Sequence, residues 1–147
     1  MPDYENIHAT LINIKQKGVL LLGKSNSGKS DLALRLIYQY GAKLVADDVV
    51  CLKIKNNRLY GSSPQNICGL IEVRGLGIMQ MKYQKESRID LVAYLSDEAK
   101  VERMPKKQTK NILGLAIDKI DLYAKQASAS EKILAALSGN IVITEAE

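Results

Sequence analysis

Short apolar runs open the chain and predict strands before any helix. Two runs rich in β-branched residues follow His8, and a polar break at residues 16–18 separates them. That pattern predicts a hairpin whose second strand lies near residues 19–22. From residue 30 to residue 40 the apolar positions change to a helical spacing, and Gly41 follows where a glycine often ends a helix. The opening of the chain therefore predicts a strand hairpin followed by one helix of about three turns.

The pattern then returns to strands for most of the remaining chain. Further strands are predicted at residues 43–46, 49–54, 58–60, 69–73, 77–81, 88–95 and 120–123. Asn56 and Asn57 suit the turn between two of them, because asparagine tolerates a positive φ. A strand, a helix and then many strands predict an α/β fold, and a chain of 147 residues is expected to form one domain over residues 1–147.

Two segments near the end of the chain differ from this strand pattern. Residues 97–110 are charged and rich in lysine, which predicts an exposed and mobile segment. After it, Ser130 is expected to cap a closing helix that runs through Leu137 and ends at Gly139.

The cysteines and the hydropathy favour a protein of the cytoplasm. Cys51 and Cys68 belong to no Cys-x-x-Cys or Cys/His cluster, so reduced and buried thiols are expected. The N-terminus has no signal-peptide core, and no apolar run approaches the ~18 residues of a membrane span. We therefore expect a soluble, cytoplasmic protein without a membrane partner.

The charge balance favours an anionic ligand or an acidic partner. Lysine and arginine total 21 against 16 acidic residues, which gives a net charge of +5. The lysines are scattered along the chain, and all seven aromatic residues are tyrosines without an RNA-binding motif. No nucleic-acid partner is expected.

A glycine-rich motif between the second predicted strand and the helix carries the candidate chemistry. It matches the pattern G-x-x-x-x-G-K-[ST] at Gly23, Lys24, Ser25, Asn26, Ser27, Gly28, Lys29 and Ser30. In this motif backbone N–H groups turn inward around phosphate oxygens, the lysine reaches the β- and γ-phosphates, and the final hydroxyl binds Mg²⁺. The sequence therefore predicts a site for a nucleotide with Mg²⁺.

Two adjacent carboxylates, Asp47 and Asp48, follow the strand at residues 43–46. A crossover through the helix sets this strand close to the first, with both carboxyl ends facing the phosphates. Carboxylates there can hold Mg²⁺ or accept a proton from an attacking hydroxyl. Neighbouring side chains on a strand point to opposite sides, so one aspartate is expected to serve the site better than the other.

Glu72, Arg74 and His8 are weaker candidates from the residues alone. Glu72 and Arg74 share one face of a predicted strand, where such a pair is more often an exposed ion pair than a site. A single histidine is more often a surface or core residue than a catalytic one. The residues by themselves support a Mg²⁺-nucleotide phosphotransferase and go no further.

Two kinds of function remain open for such a site. A P-loop kinase for a small metabolite is one, although such enzymes often close an arginine-rich lid and this chain has only Arg35, Arg58, Arg74, Arg88 and Arg103. A nucleotide-binding regulatory module without transfer activity is the other. A GTPase is disfavoured because the guanine motif Asn-Lys-x-Asp is missing.

Several of these segments together resemble the catalytic domain of HPr kinase/phosphorylase, the bacterial enzyme that phosphorylates a serine of the phosphocarrier protein HPr. The resemblance rests on the glycine-rich motif, on VADD at residues 45–48 and on IEVRGLGIMQ at residues 71–80. Weaker matches continue through residues 102–105 and 112–122. The block at 71–80 is the most specific of these.

The resemblance implies ATP and Mg²⁺ as cofactors and an HPr-like carrier protein as the acceptor. It implies that Lys29 holds the phosphates and that Ser30 and Glu72, together with one of the tandem aspartates, Asp47, bind Mg²⁺. Asp48 would be the proton acceptor, although the order within the pair stays open. His8, Arg74 and Arg103 match further catalytic positions.

The resemblance also implies a fold and an assembly. The phosphate loop would lie on a mixed sheet, as in phosphoenolpyruvate carboxykinase, rather than on the doubly wound sheet of adenylate kinases. Family members form hexamers, so a homo-oligomer is expected.

Two departures from the family are visible in the sequence. Full-length members carry an extra N-terminal domain, and this chain is similar to the short alphaproteobacterial form, whose substrate would be a nitrogen-type HPr homologue. Where the family has Pro-Val-Arg-Pro-Gly-Arg-Asn, linked to dephosphorylation, residues 123–129 read YAKQASA. Lys125 and Ser128 replace the two arginines, and lysine does not reproduce bidentate phosphate binding. The reverse phosphorylase activity is therefore in question.

Overall fold

A six-stranded mixed sheet forms the centre of the computed structural model, which describes residues 4–142. The strands of the described chain are β1 (Tyr4–His8), β2 (Thr10–Ile14), β3 (Lys17–Gly23), β4 (Lys43–Ala46), β5 (Val49–Lys55), β6 (Arg58–Ser62), β7 (Leu70–Val73), β8 (Gly77–Gln80), β9 (Glu86–Arg88), β10 (Leu91–Leu95), β11 (Gln108–Ile112) and β12 (Leu115–Leu122). The helices are α1 (Lys29–Tyr40) and α2 (Ala129–Leu137), with 3₁₀ turns at Gln65–Ile67 and Glu98–Lys100.

Four strands of the central sheet end at the same edge. The strand order is β11-β12-β10-β3-β2-β4. β10 is parallel to β3 and to β12, whereas β2 is antiparallel to both β3 and β4. The carboxyl ends of β3, β4, β10 and β12 therefore share one edge, as predicted for β3 and β4. The two are not neighbours, however, because β2 lies between them.

Both faces of this sheet are covered, which explains the apolar run of β3. Val19 and Leu21 pack with α1, α2 and the β7–β8 hairpin, whereas Leu20 and Leu22 face a second sheet. That second sheet has the order β1-β5-β6-β9. Alternate side chains of a strand point to opposite faces, so a central strand between two layers is apolar at every position.

Several predicted elements are confirmed. Residue Gly41 ends α1 with φ 71, and β4 spans the predicted residues. Asn56 and Asn57 turn the β5–β6 hairpin with φ values of 50 and 64. The β7–β8 hairpin lies within one residue of its predicted bounds.

Other predictions were wrong, and burial explains most of them. The strand expected at residues 88–95 is two strands, because the chain passes from one sheet to the other at Ile89 and Asp90. Ile89 is buried, while Asp90 exchanges hydrogen bonds with Gly18. The residue at which a chain passes from one sheet to another cannot be recognised from an apolar run in the sequence.

The charged segment and the closing helix also differ from prediction. Part of residues 97–110 belongs to β11, an edge strand whose exposed polar residues give no alternation. The predicted strand at 120–123 is the end of the longer β12. Helix α2 begins at Ala129 after Ser128, and Ser130 is buried inside its first turn rather than capping it.

Three smaller findings complete the comparison. The strand β1, which pairs with β5, had no clear signal before His8. Cys51 and Cys68 are free thiols but only half-buried. In residues 4–142 no helix is long and apolar enough to cross a bilayer.

Candidate active site

A glycine-rich loop joins the end of β3 to the start of α1 at the carboxyl edge of the sheet. Gly23 has φ 151 and Gly28 has φ 101, so both adopt backbone conformations that favour glycine. A Cβ on Gly23 would lie 2.6 Å from Ser27 Oγ and 2.9 Å from the Leu95 carbonyl oxygen. The loop therefore depends on this glycine for space as well as for conformation.

The amino group of Lys29 lies inside the curve of this loop. Lys29 Nζ donates hydrogen bonds to the backbone oxygens of Gly23 at 2.9 Å and Lys24 at 3.0 Å. Ser27 Oγ is buried and has no hydrogen-bond partner within residues 4–142. The amino end of α1 points into the same space and adds its partial positive charge. The loop thus combines donors and positive charge, as an anionic phosphate group requires.

Asp47 lies directly after β4 and is turned inward, with only 7% of its surface exposed. Its Oδ1 accepts hydrogen bonds from Ser30 Oγ at 2.7 Å and from Thr10 Oγ1 at 2.8 Å. Its Oδ2 accepts a longer one from the backbone N–H of Glu72 at 3.4 Å. Three elements therefore fix this carboxylate beside the hydroxyl at the start of α1.

Asp48 is turned the other way, and its side chain is 80% exposed. Its φ of 70 is unusual for a residue other than glycine. The Val49 N–H donates to the Asp47 carbonyl at 2.8 Å, which closes a three-residue turn around Asp48. Such a backbone costs about 1–3 kcal/mol and is often found at functional sites. The tandem aspartates do point to opposite sides, as expected from the sequence.

His8 lies next to Asp48 at the end of β1. Its Nδ1 is 4.0 Å from Asp48 Oδ1, and both side chains are exposed. The strand pairing sets this distance, because His8 pairs with Val49 and the Ala9 N–H donates to the Asp48 carbonyl at 3.2 Å. The lone histidine of the chain is thus beside a carboxylate.

The β7–β8 hairpin brings Glu72 and Arg74 to the same place. Arg74 Nη2 donates to Asn26 Oδ1 at 2.7 Å, which ties the hairpin to the glycine-rich loop. No ion pair joins Arg74 to Glu72 in the described part of the chain, because Arg74 lies one residue past the end of β7. The exposed ion pair that the spacing suggested is therefore not what the structure has.

Arg103 is the one predicted site residue that lies on a different surface. It lines a groove of about 580 Å³, together with Lys119 and Lys132 from β12 and α2. Within residues 4–142 it makes no hydrogen bond or ion pair with the loop or the aspartates. Its catalytic role stays a prediction.

Two site residues gave no recognisable signal in the sequence. Thr10 binds Asp47 because a β-bulge between Leu11 and Ile12 shifts the β2–β4 register. Arg35 donates to three backbone oxygens of the segment at residues 123–129, at 2.7 Å, 3.2 Å and 3.3 Å. A Cβ on Gly28 would lie 3.2 Å from Ala124 in that segment. Residues 123–129 therefore lie against the glycine-rich loop.

The residues at this edge fit a magnesium ion. Residues 4–142 contain no group of three or more His, Cys, Asp or Glu side chains arranged as a metal cage. Mg²⁺ does not need one, since it is usually held by one or two carboxylates, water and phosphate oxygens. A hydroxyl and a carboxylate in contact, Ser30 and Asp47, are oxygen ligands of the kind that it prefers.

A solved structure has the same architecture. The chain matches the structure of the Hpr(Ser) kinase/phosphatase from Coxiella burnetii with a TM-score of 0.80 and 31% sequence identity. The match covers 92% of this chain and 89% of that one. The profile of the HPr Serine kinase C-terminal domain matches residues 1–146. The chain therefore belongs to the HPr Serine kinase C-terminal domain family.

Curated relatives agree with this family. A protein of Thermoanaerobacter sp. (strain X514) named HPr kinase/phosphorylase is 44% identical over 99 residues, which are 62% of this chain. One of the same name from Variovorax paradoxus (strain S110) is 34% identical over 128 residues, or 78% of this chain. The aligned parts are 32% and 40% of those relatives, so this chain spans well under half of their length.

Proposed function

We propose that this protein is an ATP- and Mg²⁺-dependent kinase that phosphorylates a serine of an HPr-like carrier protein in the cytoplasm. One observation carries the proposal: the tandem aspartates divide into an inward carboxylate on the Ser30 hydroxyl and an outward carboxylate on a strained turn. The inward group suits a metal ligand, and the outward group suits a proton acceptor for an incoming hydroxyl.

Different residues of the chain have different roles in the proposed transfer. The loop amides and Lys29 hold the phosphates of ATP and neutralise their charge. Mg²⁺, held by Ser30, Asp47 and Glu72, would supply further charge neutralisation and orientation of the phosphate oxygens. Asp48 takes the proton of the attacking serine as the bond from the serine oxygen to the γ-phosphorus forms and the bond to ADP breaks. His8 is placed to orient the Asp48 carboxylate.

The arginines complete the proposal. Arg74 is held by Asn26 at the mouth of the loop, where its charge can meet the transferred phosphoryl group. Arg103 is also proposed to take part in catalysis, from the segment between β10 and β11. The position of the antiparallel β2 between β3 and β4 supports a likeness to phosphoenolpyruvate carboxykinase over the adenylate-kinase type. A homo-oligomer, a hexamer in the family, is part of the same proposal.

Membership of the family favours a protein acceptor over a small metabolite. The relatives are named for HPr, and the match to the Coxiella burnetii structure extends over 92% of this chain. A regulatory module without transfer would not require the strained turn at Asp48. We therefore prefer the kinase to both alternatives.

We further propose that the reverse reaction is weak. The segment at residues 123–129 lies beside the glycine-rich loop, yet it carries Lys125 and Ser128 instead of two arginines. Lysine binds phosphate as a point charge and offers no planar fork. Loss of bidentate contacts there would affect the phosphorylated carrier more than ATP.

A labelled-phosphate assay tests the proposed function. The protein is incubated with γ-labelled ATP, Mg²⁺ and the HPr-like carrier encoded in the same genome, and the labelled residue is identified by mass spectrometry. Label on a carrier serine is the expected result. Turnover of a metabolite without any protein acceptor, or no transfer at all, would instead support one of the two alternatives.

A further inference from the structure

Two large apolar side chains are exposed at the tip of the β7–β8 hairpin. Leu76 is 78% exposed and Ile78 is 72% exposed. We name these two residues the hairpin ridge. Gly75 and Gly77 beside them have open space where a Cβ would be. Exposed apolar side chains that adjoin a polar site often mark a surface that binds another protein.

The inner face of this hairpin does not explain the ridge. Ile71 and Val73 are buried in the core beside α1, and Met79 packs against the same cluster. The hairpin is therefore anchored by one face only. Leu76 and Ile78 take no part in this packing and are exposed to solvent. Core packing therefore gives no reason for apolar residues at these two positions.

The strand register connects the ridge to the candidate active site. Ile78 pairs directly with Glu72, so the two side chains leave the same face of the hairpin about 5 Å apart. The backbone N–H of Glu72 reaches Asp47 at 3.4 Å, and Arg74 reaches the glycine-rich loop. A molecule that covers Glu72 from outside therefore also covers Ile78.

We propose that the hairpin ridge is a docking surface for the protein that accepts the phosphoryl group. This inference rests on the proposed kinase function and adds the surface that selects the acceptor. The partner would present apolar side chains next to its acceptor serine, so that burial on the ridge brings the serine to Asp48.

Charge favours this partner over a second copy of the chain. Arg74, an exposed cation, stands two residues before Leu76 on the same hairpin, and the chain carries a net charge of +5. Two copies meeting ridge to ridge would bring Arg74 close to its own counterpart, which is unfavourable. An acceptor with acidic groups around its apolar patch would be complementary.

The test removes the apolar surface and leaves the catalytic residues in place. The double variant Leu76→Ser with Ile78→Thr is compared with the conservative double variant Leu76→Met with Ile78→Val. Tyr38→Ser on α1 is the matched control, because Tyr38 is also an exposed apolar residue. We expect the first variant to raise the KM for the carrier at least about tenfold, with kcat and ATP affinity nearly unchanged. The other two should behave like the original protein.

Binding measured without transfer separates this inference from the proposed function. Carrier affinity is determined by calorimetry in an Asp48→Asn background, with and without the ridge substitutions. If the original protein transfers phosphate and the ridge variant has an unchanged KM, the docking surface is disproved and the kinase stands. If transfer is never seen but carrier binding depends on the ridge, the kinase fails and the ridge stands as a surface that binds the carrier without phosphoryl transfer.

The remaining outcomes are also decisive. A ridge variant that loses ATP affinity in parallel with carrier affinity would show a structural role instead of docking. A change of oligomeric state on size-exclusion chromatography would assign the ridge to contacts between copies. No carrier binding in any form of the protein would overturn both proposals.

Discussion

The tandem aspartates point to an inner and an outer side, and the fold holds the side chains of the inner side more firmly than those of the outer side. On the inner side, Asp47 is buried and accepts hydrogen bonds from Thr10, Ser30 and the backbone of Glu72. On the outer side, Asp48, His8 and the hairpin ridge are exposed and make few contacts. The inner groups are positioned by the protein itself, whereas the outer groups are left available to a partner. Substitutions on the two sides should therefore have different consequences.

The largest effect is expected for the proposed base on the outer side. Asp48→Asn keeps the shape of the side chain and removes its ability to take a proton. Transfer should fall by about 10²–10⁴-fold, while the affinity for ATP and the free energy of unfolding change little. Steady-state kinetics, calorimetry with ATP and urea unfolding give the three values. If Asp47→Asn produces this pattern and Asp48→Asn does not, the roles within the pair are reversed.

A glycine of the loop should be sensitive to substitution, because it lacks both space and an ordinary φ. Gly23→Ala would place a methyl group 2.9 Å from the Leu95 carbonyl in addition to straining φ. We expect a loss of about 2–4 kcal/mol in the free energy of unfolding. The control is Gly75→Ala on the hairpin, which has φ 91 and open space and should cost only about 1 kcal/mol. Equal losses by urea unfolding would show that crowding at Gly23 is unimportant.

A hydroxyl on the inner side should affect both stability and transfer moderately. Thr10→Val keeps the shape and removes one of the donors to the buried carboxylate of Asp47. Such a loss costs about 1–3 kcal/mol, and a less fixed Asp47 should also raise the Mg²⁺ concentration needed for half-maximal transfer. Thr109→Val on the exposed edge strand β11 is the matched control. An unchanged Mg²⁺ requirement would separate Thr10 from the metal site.

The smallest expected effect concerns a thiol on β5, the strand that follows Asp48. Burial raises the pKa of Cys51 above its ordinary value, and the nearby Cys68 raises it further. A raised pKa means that less thiolate is present at a given pH, so alkylation should reach its half-maximal rate at a higher pH in the folded protein than in urea. The pH profile of iodoacetamide labelling, followed by mass spectrometry, measures this shift. Cys68→Ser should move the folded midpoint slightly downward, and identical folded and unfolded profiles would contradict the expectation.

The sequence indicated the candidate residues of this site better than it indicated the residues that hold them in place. The glycine-rich motif and the tandem aspartates were visible because their chemistry requires a fixed spacing along the chain. Thr10 was not, because its contact with Asp47 depends on a bulge in the β2–β4 pairing. A register between strands is set by packing on both faces of the sheet, and no local pattern records it.

The elements of the fold also divide into those that local residues specify and those that depend on contacts between layers. The helix α1 and the hairpins were predictable because capping residues and turn residues act locally. The break between β9 and β10 and the edge strand β11 were missed, since both follow from where the chain crosses between layers. The exposed position of Ile78 was equally hidden, as an apolar residue in a strand pattern suggests burial.

Arg35 holds the backbone of the segment at residues 123–129 against α1. Its guanidinium binds only backbone oxygens of the segment at residues 123–129. These three contacts do not depend on which side chains residues 125 and 128 carry, so we expect Lys125 and Ser128 to be replaceable without a change of fold. We expect that an arginine pair introduced at these two positions would lie on an unchanged backbone, in the segment that contacts the glycine-rich loop. The direction of the proposed transfer and the stability of the domain would then change independently of each other.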